Sequence, residues 1–276
     1  MLIKHKINSS IFYNTIKYFI RGCISAYMRS IVTYNDILKT YTSKDAGIKA
    51  LEKIKQITPI YSSTRLAGIV GDLFGDGHLQ GPNKWRIDYT SGSVPELKRF
   101  GREIYIQFGR KGKIRKCTTN KLGVTYNYGF NNKPIARVLF LCGVPAGNKV
   151  MQNLQIPSWI LNNKFYFTRF IQRLFDCEGS VSKNEIGIEL NMSKSEDLIQ
   201  NGIEFFNTIK FYLSKYHDIK TCNPFINAKI NRRKDNIKTH QVRIKIRERR
   251  SAEIFSKKIK FENLTKQRKL ILSLKV

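Results

Sequence analysis

Two stretches of the chain have apolar residues at helical spacing and end in the same kind of polar segment. The first carries the letters RLAGIV at 65–70 and ends in FGDGHL at 74–79. The second, at 167–181, ends in DCEGSV. Apolar side chains three and four residues apart share one face of a helix. Both stretches are therefore predicted to be helices that end at an acid followed by glycine.

We interpret the two helices as copies of one internal repeat. Placing Asp76 on Glu178 also aligns the residues around them: Gly77 with Gly179, Gly75 with Cys177, Leu73 with Phe175 and Ile69 with Ile171. After each acid the pattern predicts a strand, a helix, two further strands and a closing helix. The predicted fold class is α+β, with two pseudo-symmetric αββαββα halves.

The repeat divides the chain into four predicted segments. They are a basic N-terminal extension at 1–60, a first half at 61–150, a linker at 151–164 and a second half at 165–276. The extension has no acid before Asp36 and mixes aromatic with basic residues. Three interpretations of it stay open: a basic helical arm, a transit peptide, or an upstream segment before a true start at Met28.

Alternation of apolar and charged residues is clearest in the letters HQVRIKIR at 240–247. Because the side chains of a strand alternate between faces, Val242 and Ile244 would face helices, and Arg243 and Lys245 would face solvent. Cations on one face recur about every 7 Å, close to the phosphate spacing along a DNA strand. The residues predicted to contact DNA are Arg86, Lys113, Arg115, Lys116, Arg232, Arg233, Lys234, Gln241, Arg243, Lys245 and Arg247.

Charge composition points to the same class of partner. The sequence has 50 Lys and Arg against 20 Asp and Glu, a formal net charge of +30. A field of this sign attracts polyanions, with nucleic acid the first choice and an anionic membrane surface the second. Asp88 and Glu189 fall on faces that would otherwise be basic. We expect them either to pair with nearby cations or to reject wrong bases.

Cysteine usage and hydropathy argue against several other classes. Five scattered cysteines without a C-x-x-C pair, and only four histidines, argue against a zinc finger and a disulfide framework. The best apolar run, at 135–144, is too short to span a bilayer and contains Arg137. Lys17 and Arg21 interrupt the N-terminal apolar residues, so no signal-peptide core is visible. We expect an intracellular protein, in a prokaryotic cytoplasm or nucleoid or an organelle matrix, with no membrane partner.

The acids at the two helix ends predict a metal site. Gly71 and Gly75 are spaced i, i+4 and give the first helix a groove without side chains, which permits close packing against the second. Asp76 and Glu178 would then meet, and at about 5 Å in an effective dielectric of about 20 they repel by about 3 kcal/mol. A divalent cation relieves this repulsion, because carboxylate oxygens are preferred ligands of Mg²⁺. Two such acids beneath basic sheets suit metal-dependent phosphodiester hydrolysis.

The letters IVGDLFGDG at 69–77 and IQRLFDCEG at 171–179 resemble the two motifs of monomeric LAGLIDADG homing endonucleases. The resemblance runs from about Thr64 to the C-terminus and includes GVPAGNK at 143–149. It implies saddle-shaped antiparallel sheets, Mg²⁺ as cofactor with Mn²⁺ as substitute, and cleavage of both strands of a long, specific DNA target in intron or intein homing. By position it implies Asp76 and Glu178 as catalytic metal ligands, assisted by the backbone carbonyl of Gly75 or Cys177.

The sequence departs from the family pattern in two places. Arg173 stands where the first motif has Gly71, and we expect its side chain to lie above the helix crossing and point outward. The resemblance also implies a cation at the end of the first strand of each half, near the scissile phosphates. Lys194 is the catalytic candidate there, with Asn191 beside it. The substitutes are Lys183, Arg243 and Lys245.

Three polar residues beside the motif acids have other expected roles. Asp72 and Asp176 lie close to the acids in sequence, and we expect Asp72 to pair with a neighbouring cation rather than to bind metal. His78 directly follows the first acid-glycine pair. It either orients a water molecule or is an exposed residue at the start of a strand.

Two functions other than cleavage remain open from the sequence. An RNA maturase, or a non-catalytic nucleic-acid-binding protein of the same fold, would keep the basic sheets without needing the acids, and its partner would include its own intron RNA. A transcription regulator would need a separate helix-turn-helix, which the sequence lacks. Retention of both acids favours the endonuclease. No obligatory protein partner is expected.

Overall fold

The computed structural model describes residues 30–117, 124–182, 185–233 and 235–275. In the first half the helices and strands are β1 Ser30–Val32, α1 Tyr34–Leu38, α2 Lys44–Glu52, β2 Ile60–Tyr61, α3 Thr64–Phe74, β3 Gly77–Leu79, β4 Ile87–Ser91, α4 Val94–Phe108, β5 Lys113–Cys117, β6 Thr125–Phe130 and α5 Lys133–Leu141. In the second they are α6 Ser158–Leu161, α7 Lys164–Glu178, β7 Gly179–Val181, β8 Ile188–Ser195, α8 Ile199–His217, β9 Phe225–Ile226, β10 Asn231–Arg232, β11 Lys238–Ile246, α9 Arg249–Ile254 and α10 Leu264–Ser273.

Helices α3 and α7 pack against each other with almost no space between their backbones. A methyl group added to Gly71 would lie 2.5 Å from the carbonyl oxygen of Phe170, and one added to Gly75 would lie 2.3 Å from Cβ of Cys177. Real Cβ atoms do not approach other atoms this closely, so a side chain at either glycine would force the helices apart. The glycine groove predicted from the i, i+4 spacing is confirmed.

Two antiparallel sheets cover this helix pair. The first has the strand order β3-β4-β6-β5, and the second has the order β10-β11-β8-β7, with β9 also paired to β11. Ile87 and Tyr89 of β4 are buried, and the Tyr89 ring stacks on Phe100 of α4 at 4.5 Å. In β11, Val242 and Ile244 are buried while Arg243 is half-buried on the other face. The predicted α+β fold class and the alternation of faces are confirmed.

Residues 30–61 belong to the folded first half, which corrects the prediction of an extension at 1–60. Strand β1 pairs antiparallel with β2, and Val32, Ile37 and Leu51 are 0% exposed. Helix α1 packs against α5. The sequence did not reveal this because β1, α1 and α2 are too short for a clear apolar period. Residues 1–29, including Met28, lie outside the described residues.

Arg137 of α5 fastens this N-terminal segment to the first sheet. Its guanidinium carbon lies 3.9 Å from the ring centre of Tyr41 and 4.5 Å from that of Trp85. An arginine between two aromatic faces gains cation–π attraction while its stem packs as an apolar group. The apolar run at 135–144 is thus a core helix with a charged side chain held between rings. Within the described ranges, none of the helices is long and apolar enough to cross a membrane.

Candidate active site

The structure brings Asp76 and Glu178 together at the ends of α3 and α7. Helix α3 ends at Phe74, where the Gly75 amide donates to the carbonyl of Gly71 at 3.1 Å, and α7 ends at Glu178. Gly75 lies against Cys177, and Asp76 and Glu178 are the residues that directly follow them. The two carboxyl groups are therefore brought to the same end of the helix pair. The Asp76 side chain is accessible to solvent, and that of Glu178 is half-buried.

Both carboxyl groups hold their protons more tightly than free acids. Burial, and then the negative charge of Asp76, raise the pKa of Glu178 to about 7. Desolvation by the surrounding protein raises the pKa of Asp76, while the Lys266 and Lys149 charges oppose the rise. The charge of Asp76 disfavours ionisation of Glu178, and a cation bound between the two acids would offset this effect.

Two lysines that the sequence analysis missed close the ends of these helices. The Lys149 ammonium donates to the carbonyl of Phe74 at 2.9 Å, to that of Gly77 at 2.8 Å, and also to that of Gly75. The Lys266 ammonium donates to the carbonyl of Asp176 at 2.6 Å and to that of Cys177 at 3.3 Å. Carbonyls at a helix C-terminus lack amide partners and carry partial negative charge, so an ammonium is well placed there.

The lysines also act on the carboxyl groups electrostatically. Burial lowers the pKa of Lys149, and the charges of Glu178 and Asp76 oppose this. The same carboxyl groups act on Lys266, whose pKa is also lowered by burial. The site is therefore a group of two acids and two lysines. Lys149 ends the GVPAGNK segment at 143–149, but the sequence did not show that its ammonium reaches the helix ends. Lys266 lies in no pattern that the sequence offered, and both reach the site only through the fold.

Arg173 is buried, which corrects the expectation that it points outward. Its side chain is 0% exposed and donates to Asp72 at 2.8 Å, to Asp176 at 2.7 Å, to Glu262 at 2.9 Å and to Glu96. Arg173 occupies the position in the second motif that matches Gly71 in the first. It does not widen the helix contact, because its stem passes beside Gly71 and its guanidinium lies among carboxylates. The expected pairing of Asp72 is confirmed, and Arg99 is its second partner at 2.8 Å.

Lys194 is buried and its ammonium is bound to backbone carbonyls, which argues against its assignment as a catalytic cation. In β8 it shares the buried face with Leu190 and Met192 and is 1% exposed. Its ammonium donates to the carbonyl of Lys149 at 3.1 Å and to that of Gln152. Asn191 lies on the opposite, half-exposed face. Lys183 lies outside the described residues.

Comparison with known proteins identifies the fold. No protein-family model matches the sequence. Among solved structures, the homing endonuclease I-WcaI bound to its DNA recognition sequence matches 83% of this chain and 93% of its own, with a TM-score of 0.50 and 16% identity. The chain has the LAGLIDADG homing-endonuclease fold. The N-terminal LAGLIDADG domain of DUF199/WhiA matches 76% of this chain and 91% of its own, with a TM-score of 0.44 and 12% identity.

Curated relatives are much longer than this chain. The replication factor C small subunit of Methanocaldococcus jannaschii is 29% identical over 231 residues, which are 78% of this chain and 12% of that protein. The tRNA-splicing ligase RtcB of the same organism is 36% identical over 105 residues, which are 36% of this chain and 10% of that protein. The chain thus spans only about a tenth of the length of these relatives.

The outer faces of the two sheets of the LAGLIDADG fold carry most of the cations predicted to contact DNA. On the first sheet, Lys113 and Arg115 share a face with Arg86, and the three line a concavity of about 260 Å³. Lys116 lies on the opposite face of β5, across from Tyr126, which corrects its assignment to the DNA-contacting set. Alternation along the strand already separates Lys116 from Lys113 and Arg115, and the assignment of Lys116 had followed its charge alone.

Both interrupting acids pair with cations, as expected. Asp88 accepts from Arg86 at 2.8 Å and from Gln80 at 2.9 Å. Glu189 accepts from Arg243 at 3.1 Å and from Lys245 at 3.0 Å. The two acids fix the positions of these cations on the sheet faces and offset part of their positive charge.

The remaining predicted contacts lie on β11 and around the ends of β10 and β11 in the second sheet. Gln241 is half-exposed beside Arg243, whose guanidinium donates to it. Arg232 ends β10 and is exposed, as is Arg233, which pairs with Asp235 at 3.3 Å. Arg247 follows β11 and is exposed. Lys234 lies outside the described residues.

The donor set fits a divalent cation that keeps water ligands. Among the residues that the structure describes, none of the His, Cys, Asp and Glu side chains form a group of three or more that could hold a metal. Mg²⁺ is commonly bound through one or two carboxylates plus water and substrate phosphate, so two adjacent carboxylates suffice. The carbonyls of Gly75 and Cys177 accept from lysines, which makes them poorer candidates than the carboxylates. His78 is half-buried opposite Asp88, and burial lowers its pKa, so it is a neutral neighbour of the site.

Proposed function

We propose that this chain is a site-specific, metal-dependent endonuclease that cuts both strands of DNA, of the intron or intein homing type. The observation that carries the proposal is the proximity of Asp76 and Glu178 at the ends of α3 and α7, where the charge of Asp76 helps to raise the pKa of Glu178. The outer face of the first sheet adds a concavity lined by Arg86, Lys113 and Arg115. The fold of I-WcaI, a homing endonuclease bound to its DNA recognition sequence, agrees with this arrangement. The proposal concerns this chain alone and not the replication or splicing activities of its longer relatives.

Asp76 and Glu178 would hold Mg²⁺, with Mn²⁺ as a substitute. The metal would polarise the scissile phosphate and lower the pKa of a water molecule bound to it. The protein's own part is to keep both carboxylates ionised and adjacent, which the Lys149 and Lys266 charges assist. The two ammonium groups also offset the negative charge of a phosphodiester at the helix ends. Arg86, Lys113 and Arg115 would position the duplex through its phosphates.

A plasmid assay tests this function. The substrate is a supercoiled plasmid carrying the uninterrupted junction obtained by joining the DNA on either side of the coding segment. Linear product with Mg²⁺ or Mn²⁺, and none with EDTA, supports the nuclease. Footprint protection of the junction without cutting under any metal would overturn the nuclease and leave a binding protein of the same fold.

Metal affinity should depend on pH through Glu178. Its pKa of about 7 means that protons compete with the metal below neutrality. We expect the apparent Mn²⁺ affinity, measured by titration calorimetry, to rise by up to about tenfold per pH unit below pH ~7 and to level off above it. In Glu178→Gln this rise should disappear, and a flat profile in the unmodified protein would contradict the assignment.

The same shift sets the sign of the metal-free stability. The pKa of Glu178 in the folded state is above its ordinary value of 4.5, so the folded protein holds this proton more tightly. The resulting stabilisation is complete below that value and is lost as the pH rises through about 7. Thermal unfolding in EDTA should therefore show a melting temperature that decreases over this interval, less steeply in Glu178→Gln.

Salt dependence should distinguish the two faces of β5. Arg115 lies on the outer face, and its neighbour Lys116 lies on the opposite one. Arg115→Ala should reduce the slope of log affinity against log salt by about 1, because one phosphate contact is lost. Lys116→Ala, an adjacent exposed cation removed from the same strand, should leave the slope within error. Equal effects in fluorescence-anisotropy titrations would show that this face does not contact the duplex.

A further inference from the structure

Each lysine of the site depends on a connecting segment, which either carries it or leads into the helix that carries it. Lys149 lies in a short 3-10 turn, Lys149–Met151, after the first half. Lys266 lies in the first turn of α10, after the last connection of the second half. A loop lysine loses considerable side-chain entropy when it is fixed, so its backbone needs anchoring for the ammonium to stay beside the acids.

The segment around Lys149 is anchored by buried polar groups of the second half. The Lys194 ammonium donates to the carbonyls of Lys149, at 3.1 Å, and of Gln152. Asn201 of α8 exchanges two hydrogen bonds with Leu154, at 2.8 Å and 3.2 Å. The side chain that closes the first motif helix is thus fastened by residues that follow the second motif.

Lys194 is buried like a core residue, and its ammonium group binds backbone carbonyls of the connection around Lys149. It is 1% exposed, and its stem packs against Gly202 of α8. Burial lowers its pKa to about 8, and within the described ranges it has no ion pair with an acid. A buried ammonium is costly unless its hydrogens are used, and here they are used on the two carbonyls of the connection.

The connection before Lys266 is anchored by Asp176. This carboxylate accepts from the backbone amides of Asn263 at 2.9 Å and Glu262 at 3.2 Å, and from the Arg173 guanidinium at 2.7 Å. Asp176 lies two residues before Glu178 in α7. The helix that supplies the second acid therefore also sets the position of the loop that leads into the helix of Lys266.

We propose that Lys194 and Asp176 are positioning residues. Lys194 fastens the connection that bears Lys149, Asp176 fastens the connection that leads into the helix of Lys266, and each thereby holds one lysine at the motif-helix ends beside the acid pair. This inference rests on the proposed nuclease function, because the lysines matter to catalysis only if the acids do. Lys194 acts through the position of Lys149, and Asp176 acts through the position of Lys266. The position of Lys149 therefore also depends on how the second half packs against the connection that follows the first half.

Hydrogen exchange tests the fastening without relying on activity. Lys194→Met keeps the length of the side chain and removes its donors, so the fold should persist. We expect amide exchange measured by mass spectrometry to become about tenfold faster over 147–154 and to stay unchanged over 261–267. Asp176→Asn should show the reverse, because an amide has one acceptor oxygen where the carboxylate serves three donors. The matched control is Lys210→Met in α8, which should alter neither segment.

Single-turnover cleavage of the junction plasmid tests the positioning role. Lys194→Met should slow cleavage about 10- to 100-fold while DNA affinity stays within about threefold, since a small misplacement costs rate rather than binding. In a Lys149→Met background the same change should add less than about threefold, and in a Lys266→Met background it should keep its full effect. Asp176→Asn should show the opposite dependence.

The two readouts separate the possible failures. Unchanged exchange at 147–154 in Lys194→Met overturns the fastening. Faster exchange with an unchanged cleavage rate, or full additivity with Lys149→Met, overturns the positioning role. If the unmodified chain cuts no junction DNA with any divalent metal, the nuclease proposal fails, and the exchange data still decide whether Lys194 and Asp176 fasten these connections.

Discussion

Asp76→Asn is expected to abolish double-strand cleavage and to leave DNA binding nearly intact. The amide keeps the size of the carboxyl group and removes the negative charge that would hold the metal beside Glu178. Loss of a charge-stabilising group at a reacting phosphate costs roughly 100- to 1,000-fold or more in rate. Gel analysis of the junction plasmid should show neither linear nor nicked product on the time scale of the unmodified protein.

A control with the same chemistry separates the site from the fold. Asp218 is far from the helix ends in the chain and pairs with Arg250 on the surface, where the two side chains are 65% and 74% exposed. Asp218→Asn should leave the cleavage rate within about twofold, because exposed ion pairs contribute little and asparagine tolerates its left-handed backbone. If Asp76→Asn cuts as fast as this control, the acid pair is not the catalytic centre.

Arg173→Met is expected to give the largest loss of stability of any single arginine considered. The guanidinium and its partner Asp72 are both 0% exposed, and removal leaves Asp72 and Asp176 with fewer donors in the helix interface. Removing one partner of a buried pair typically lowers the free energy of unfolding by about 3–5 kcal/mol. Urea denaturation followed by circular dichroism should show this as a lower midpoint.

The comparison variant is Arg250→Met, in which the lost ion pair is exposed. We expect a change in the free energy of unfolding of about 0–1 kcal/mol there. A loss below about 1 kcal/mol for Arg173→Met would mean that the carboxylates around it find other donors or take up protons. In that event the cluster would contribute little to the docking of α3 on α7.

The sequence predicted the site best where its evidence was local and repeated. The glycine spacing on one helix and the duplicated acid-glycine ending predicted both the close helix pair and the proximity of Asp76 and Glu178. A period of two in β11 predicted which side chains face outward. Lys116 was misassigned because its charge was weighed and its alternation with Arg115 along β5 was not. Lys194 was misassigned because its chemistry was weighed and its strand face was not.

The sequence by itself determined the helix pair, the two acids, the α+β order and the cationic character of the sheets, because each is encoded by neighbours at fixed spacing. Only the tertiary structure decided that residues 30–61 join the core, that Arg173 is buried among carboxylates, and that Lys149 and Lys266 meet the acids. These features join side chains that are distant in the chain, such as Lys149 with Gly75 and Arg173 with Asp72. Their partners are fixed by how connections pack and which backbone carbonyls the helix ends leave unpaired, and a local pattern carries no record of either.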